Sequence, residues 1–433
     1  MDRQESPVPL PESASSEPAA PSLSRRLGAG LISGAADDDP SGIATYSQAG
    51  AQFGLAPLWS LYLTLPLMIG IQMVSAEVGR VTGRGLAANM RRHFPRWLTA
   101  ALVGLLLGAN IFNLAADIGA IGEAAAMLLG GSSMAYALGL SLLSMTLEVA
   151  VPFPRYAPVL RILTLSLFAY VLTAMVVDVP WREVLAAMIW PRWAPGPGYL
   201  LMLVAIFGTT ISPYVFFWQA SQEVEEEIAS GQPPLRDTPL VAPGAFRRIR
   251  FDTAVGMVYS NAVAFFIMLT AAVVLHPHGV TDIQSSADAA RALRPLAGPF
   301  AGALFALGIL GTGLLALPVL AGSAAYAVAD VFDWTEGLGR RPSEARLFYL
   351  ILVGSMLLGL LLSYSPIDPI RMLFWSAVLN GVIAVPLMAG IMAMASRRSV
   401  MGDLVISRPL RWLGWLATLA MAAVVIAMLP FWH

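Results

Sequence analysis

Three features of the chain predict an all-α polytopic membrane protein with eleven transmembrane helices. They form two inverted five-helix repeats whose first and sixth helices are unwound. Apolar stretches near or above the ~20 residues that cross about 30 Å of hydrocarbon recur eleven times. Arginines gather at alternate ends of those stretches. The first and sixth stretches, one opening each half, are interrupted by proline among polar residues.

In chain order the spans cover about 26–51, 56–79, 97–129, 134–151, 157–178, 198–222, 253–275, 297–332, 346–364, 370–395 and 408–430. The repeats are then about 26–178 and 198–395, with 408–430 as an extra helix, and the transporter-like domain is 25–433. Residues 1–24, rich in Pro, Ser, Glu and Ala, are expected to be a disordered cytoplasmic tail. They lack the basic start and apolar core of a signal peptide. Every basic residue is arginine, 26 in all. Placing the tail inside leaves only Arg182, Arg192, Arg291, Arg294 and Arg371 outside and the other 21 inside. The positive-inside rule therefore sets the N-terminus in the cytoplasm and His433 outside.

Composition removes several function classes. A chain 57% hydrophobic and 12% charged, with mean hydropathy +0.70, is too apolar for a soluble protein of this length. Net charge −1 provides no attraction to nucleic acid. The absence of cysteine excludes disulfides and thiolate metal sites. His93, His276, His278 and His433 all fall outside the spans, which argues against a histidine zinc site or a histidine proton relay within the bilayer. No span carries a Ser–His pair, a glycine-rich phosphate loop or a histidine metal motif, so an enzyme is not expected and no cofactor is implied. The partners implied are the lipid bilayer and a small cargo. Abundant arginine without lysine, and no organelle signal, suit a bacterial inner membrane.

The first span contains Ser33-Gly34-Ala35-Ala36-Asp37-Asp38-Asp39-Pro40-Ser41-Gly42-Ile43-Ala44-Thr45. An ionised aspartate at the centre of a membrane helix costs roughly 2.5–3.5 kcal/mol even on lenient scales, so such a cluster should face a cavity or a cation. Pro40 breaks the helix and frees carbonyls, which is tolerated at membrane depth only where backbone is buried in protein or lines water. Three adjacent side chains on a helix point about 100° apart. Asp37 and Asp38 are therefore expected to face the cytoplasmic vestibule and leave Asp39 to the cation. The sixth span repeats the design in Phe207-Gly208-Thr209-Thr210-Ile211-Ser212-Pro213-Tyr214. Paired breaks opening two halves are the sequence mark of a transporter with a midplane site. An ordinary proline kink explains Pro213 alone equally well; the carboxylates beside Pro40 weigh against that reading.

Asp117 and Glu123 lie in the third span, Glu77 near the end of the second, Glu148 in the fourth and Asn380 in the tenth. Glu77 precedes Arg80 by three residues, which predicts an ion pair on one helical face. Asp117 is deep enough either to join a cation path or to serve a structural partner. Glu223, Glu225, Glu226 and Glu227 read as a solvated helix end at the cytoplasmic mouth.

Asp39-Pro40-Ser41-Gly42-Ile43-Ala44-Thr45, followed by Gln48-Ala49-Gly50-Ala51-Gln52-Phe53-Gly54, resembles the first-helix signature of the natural resistance-associated macrophage protein (NRAMP) family of divalent metal transporters. Val81-Thr82-Gly83-Arg84-Gly85-Leu86-Ala87 is similar to that family's loop after the second helix. The resemblance implies the fold shared with amino-acid and neurotransmitter symporters, in which the first and sixth helices unwind around the cargo. It also implies metal binding by Asp39, by the Thr209 carbonyl and at the position of Ser212.

The departures from the family pattern carry chemistry. The first-helix motif is Asp-Pro-Gly-Asn, and Gly42 stands where the metal-binding Asn would be. The sixth-helix motif Met-Pro-His is replaced by Ser212, Pro213 and Tyr214. Asp117 matches the third-helix aspartate, while Ala120 replaces an acidic residue of the proton path. A thioether selects for transition metals, whereas hydroxyl, carbonyl and carboxylate oxygens suit hard cations. Losing Asn and Met also frees volume for Mg²⁺, which keeps several of its waters. Tyr214, whose kind titrates near pH 10, cannot exchange protons near neutrality as the histidine does.

This pattern resembles the NRAMP-related magnesium transporter branch. The expected function is transport of Mg²⁺, and also Mn²⁺, by alternating access without strong proton coupling. Asp39, Thr209 and Ser212 would hold the ion, with Gly42, Tyr214, Asp117 and Asn380 around it or along its path. The alternative within the same class is a proton-coupled Mn²⁺/Fe²⁺ importer. A channel-like or sensory membrane protein on the same fold is the alternative of a different class.

Overall fold

The computed structural model describes residues 29–151, 155, 162, 165–194, 196–283 and 285–431. Among them are helices and turns and no strand. The principal helices are α1 (Ala29–Asp37), α2 (Pro40–Phe53), α3 (Leu58–Thr82), α4 (Arg96–Leu129), α5 (Ser133–Ala150), α6 (Phe168–Val176), α7 (Pro197–Thr210), α8 (Pro213–Ala229), α9 (Ala242–Val274), α10 (Ala301–Phe332), α11 (Arg346–Ser363), α12 (Pro369–Ala395) and α13 (Arg408–Met428). Nine runs of the described residues are long and apolar enough to cross a membrane. The first expected span is not among them because its break leaves pieces of 9 and 14 residues. The fifth lies partly outside the described residues, with α6 as its visible end. The expected tail over 1–24, and His433, also lie outside them.

Proline behaves in two ways in this protein. Pro66, Pro318 and Pro386 sit inside continuous helices α3, α10 and α12. Pro40 and Pro213 instead occupy the first position of new helices, where a missing N–H costs nothing and φ is already helical. Both breaks are therefore real chain interruptions and not kinks.

Close helix contact holds each broken segment in place. α9 packs along both α1 and α2, and α7 packs against α12. A Cβ on Gly34 would come within 2.2 Å of the Gly256 carbonyl of α9, and one on Gly208 within 2.0 Å of the Ala377 carbonyl of α12. Without a hydrophobic drive between helices in lipid, such small-residue contacts supply the packing. The Gly30 amide adds a 2.6 Å hydrogen bond to Asp252 of α9.

At one end of the bundle α3, α8 and α9 are tied by ion pairs, and here two expectations fail. Glu77 does not pair with Arg80: it accepts from Arg250 of α9 at 2.9 Å, while Arg80 donates to Glu227 of α8 at 2.5 Å and to Gln232. Three residues of spacing allows a pair, but each side chain meets a tertiary partner instead. The acidic run after the sixth break is not a solvated helix end either. Glu223 and Glu227 are buried, with Arg248 on Glu223 at 2.7 Å and on Glu226 at 3.0 Å. Glu225 accepts from the Tyr326 hydroxyl and, at 2.6 Å, from the Leu338 amide.

Gly34→Ala forces α1 away from α9, and overpacking of this kind costs about 1–3 kcal/mol. The expected outcome is a lower unfolding midpoint in detergent for this variant than for wild type.

Candidate functional site

Each break ends one helix, extends for a residue or two, and starts another. α1 ends at Asp37, Asp38 bends, and Asp39 caps α2 with extended backbone, φ −70° and ψ 170°. Its Oδ1 accepts from the Gly42 amide at 2.8 Å and from the Ser41 hydroxyl at 2.6 Å. An aspartate at this position satisfies an otherwise unpaired amide and sits well in the field of the helix N-terminus. In the sixth span α7 ends at Thr210 and Ser212 precedes α8. Ser212 does not cap α8; its hydroxyl turns back to the carbonyls of Thr209, at 2.8 Å, and Gly208, at 3.2 Å.

The two breaks face each other across buried polar contacts. The Tyr214 hydroxyl lies 3.0 Å from the Ala36 carbonyl, to which it donates, and 3.2 Å from Asp39 Oδ2. Tyr46 and Thr210 share a hydroxyl contact of 3.0 Å, and Ser41 and Thr209 one of 3.4 Å. Asp39, Thr209 and Ser212 are each at most 2% exposed, so the site is closed from both sides. Gly42 borders it: a Cβ there would stand 3.3 Å from Thr209 Oγ1 and 3.7 Å from Asp39 Oδ1. A larger side chain at that position would project among the hydroxyls.

The structure thus gathers Asp39, Gly42, Thr209, Ser212 and Tyr214 in one place. Asp117 is wholly buried on α4 with neither carboxylate oxygen bonded, and it is near enough to Asp39 and Tyr214 for their charges to interact. Asn380 is not brought to the breaks by any hydrogen bond; its Oδ1 accepts from Asn113 of α4 at 2.9 Å. Asp37 and Asp38 differ from the expectation of a cytoplasmic vestibule. Both are 3% exposed and turned to Ser260 of α9, because the helix ends at Asp37 and the 100° spacing no longer separates them. Sequence reasoning missed Ser260, Tyr46 and Thr210. The only signal was polarity in mid-span, which single hydroxyls in membrane helices commonly supply without a site.

The donors around the breaks are carboxylate, hydroxyl and carbonyl oxygens. Among the described residues no three His, Cys, Asp or Glu side chains converge as a metal-holding group. A site centred on Asp39 therefore offers one carboxylate and leaves the remaining coordination to neutral oxygens and water.

A membrane-spanning bundle whose halves each open on a broken helix, with the breaks meeting in a closed polar site, defines a transporter of the inverted-repeat kind. The chain matches the model of the family described as natural resistance-associated macrophage protein-like over residues 30–430, and it belongs to that family, whose members are transporters and not enzymes. A divalent metal cation transporter, MntH, from Klebsiella pneumoniae is 27% identical over 404 residues, covering 90% of this chain and 89% of the relative. Among solved structures, a manganese transporter of Eremococcus coleocola superposes with TM-score 0.72 at 17% identity, covering 95% of this chain and 88% of that one. Mhp1, a nucleobase-cation-symport-1 family transporter, gives 0.56 at 14% identity over 94% and 91% of the two chains. These likenesses establish the symporter-like fold.

Tyr214→Phe removes the hydroxyl that links the two breaks. A hydrogen bond of this kind, here beside a charged acceptor, is worth about 1–3 kcal/mol. The ion-free variant is expected to melt at a lower temperature than wild type in detergent.

Proposed function

We propose that this chain carries a divalent metal ion across the membrane by alternating access, holding it between the two breaks. Asp39 supplies charge and one oxygen, Thr209 its carbonyl, and Ser212 a hydroxyl that binds directly or through water. The observation that carries this reading is that the Asp39 carboxylate and the Thr209 hydroxyl both contact the Ser41 hydroxyl, with Ser212 bonded to the Thr209 carbonyl, all closed from solvent at two helix breaks. Family membership supports metal transport as the class of activity.

For the ion itself, the relatives' names, a divalent metal cation transporter and a manganese transporter, support Mn²⁺ ahead of the Mg²⁺ expected from the sequence. One observation supports Mg²⁺ as a second reading: no thioether or imidazole is among the groups bonded across the breaks, and oxygen donors do not discriminate against hard cations. Mn²⁺ is itself accommodated by such donors, so the two ions share one site chemistry.

Purified protein in liposomes separates these outcomes. The expected result is saturable Mn²⁺ uptake that Mg²⁺ competes with. Uptake of Mn²⁺ with parallel proton movement and no Mg²⁺ competition removes the second reading; flux that never saturates removes alternating access. Asp39→Asn, which keeps the shape but loses the charge, is expected to cut transport at least tenfold with the protein still folded, and retained transport removes Asp39 from its role. Ser212→Met introduces a soft ligand and is expected to raise the preference for Mn²⁺ over Mg²⁺ about tenfold.

A further inference from the structure

The three carboxylates at the first break are unequally provided for. Asp39 has two donors, from Ser41 and Gly42, a longer contact with the Tyr214 hydroxyl, and the favourable N-terminus of α2. Asp37 and Asp38 share one, the Ser260 hydroxyl, which lies 3.0 Å from Asp37 Oδ2 and 3.1 Å from Asp38 Oδ1. A hydroxyl has a single hydrogen to give, so one of the two contacts is always left without it. Asp38 Oδ2 has no partner at all, although Asp38 is 97% buried, since its relative exposure is 3%. Asp37 is the last residue of α1, where the helix field is unfavourable to an anion. No arginine or histidine forms an ion pair with either carboxylate among the described residues. Two buried negative charges with one hydrogen between them are costly unless a cation joins them.

We propose that Asp37, Asp38 and the Ser260 hydroxyl form a second divalent-cation subsite, beside the Asp39 site, which the cargo occupies in alternation with it. This rests on the transport reading above and names a further stop for the same ion. The donors are hard oxygens from two carboxylates and one hydroxyl, a set suited to Mg²⁺ or Mn²⁺ with water completing the shell. Occupation is alternate because divalent ions held by neighbouring residues in a closed site repel strongly.

The test is Mn²⁺ binding to the purified full-length protein in detergent, read by electron paramagnetic resonance and by the metal-induced shift in melting temperature. Wild type is expected to bind one Mn²⁺. Asp39→Asn should keep a Mn²⁺ site weakened about tenfold, and adding Asp37→Asn with Asp38→Asn should remove it. With Asp39 intact, Asp37→Asn with Asp38→Asn should weaken binding at least tenfold, because it removes both the subsite and the attraction of two charges for an ion at Asp39, and should raise the melting temperature without metal, because buried like charges are gone. Binding linked to the folded state then stabilises this variant less. If the double variant does not fold, Asp38→Asn alone carries the same expectation. Wild-type affinity in the folded double or single variant, or loss of all binding on Asp39→Asn alone, overturns the subsite while leaving the transport reading standing. Failure of wild type to bind or transport any divalent ion overturns both.

Discussion

Negative charge is buried at a helix interruption in the middle of this bundle, and no arginine among the described residues is brought there to neutralise it. The contrast with the glutamates at one end of the bundle is instructive. Arg80, Arg248 and Arg250 reach Glu227, Glu223, Glu226 and Glu77, so those acids are compensated within the protein. Asp37, Asp38, Asp39 and Asp117 receive only hydroxyls and one backbone amide, or, for Asp117, nothing. A carboxylate in a dry interior is held at considerable cost, and mobile positive charge is the natural compensation for it. The arrangement of the breaks, the hydroxyls around them and the family's transport activity all follow from that deficit.

Geometry at the breaks depends on how closely the surrounding helices approach. α9 holds both pieces of the first helix, with Gly34 against Gly256 on one side of the interruption and Gly50 against the Met268 carbonyl on the other. α12 plays the same part for α7 through Gly208. The second pieces, α2 and α8, each begin with proline and reach the first piece of the other span: Tyr214 of α8 donates to the Ala36 carbonyl of α1, and Tyr46 of α2 contacts Thr210 of α7. Helix packing and buried hydrogen bonds together hold the two broken spans against each other at the centre.

Much of this architecture could be read from residues in order. Nine of the eleven expected apolar stretches coincide with helical runs able to cross a membrane, because lipid leaves a chain few choices, and the breaks were visible because proline met polar residues where hydrocarbon should be. Pro66, Pro318 and Pro386 show the limit of proline alone, since each lies in an unbroken helix. What the chain order could not reveal was partnership over distance. Glu77 sits one turn from Arg80 yet binds Arg250, 173 positions on, and Glu223 finds Arg248 on the next long helix. Ser260 was invisible for the same reason, since a serine in a membrane helix acquires meaning only when two aspartates arrive from another segment. The identity of the ion was legible only in part, because the lost thioether and imidazole describe the donors and not the cargo.

Asp39 has two engagements with one carboxylate. Its Oδ1 fastens the first turn of α2 through the Gly42 amide, and the same oxygen is among those an arriving ion would draw upon. A cap of this sort is worth about 0.5–2 kcal/mol, comparable with the thermal scale on which helices tilt. On the transport reading, an ion drawing on this oxygen would compete with the Gly42 amide for it, so the loaded and empty protein would differ in how firmly α2 is moored. A single atom would then couple occupancy to a whole segment of the carrier.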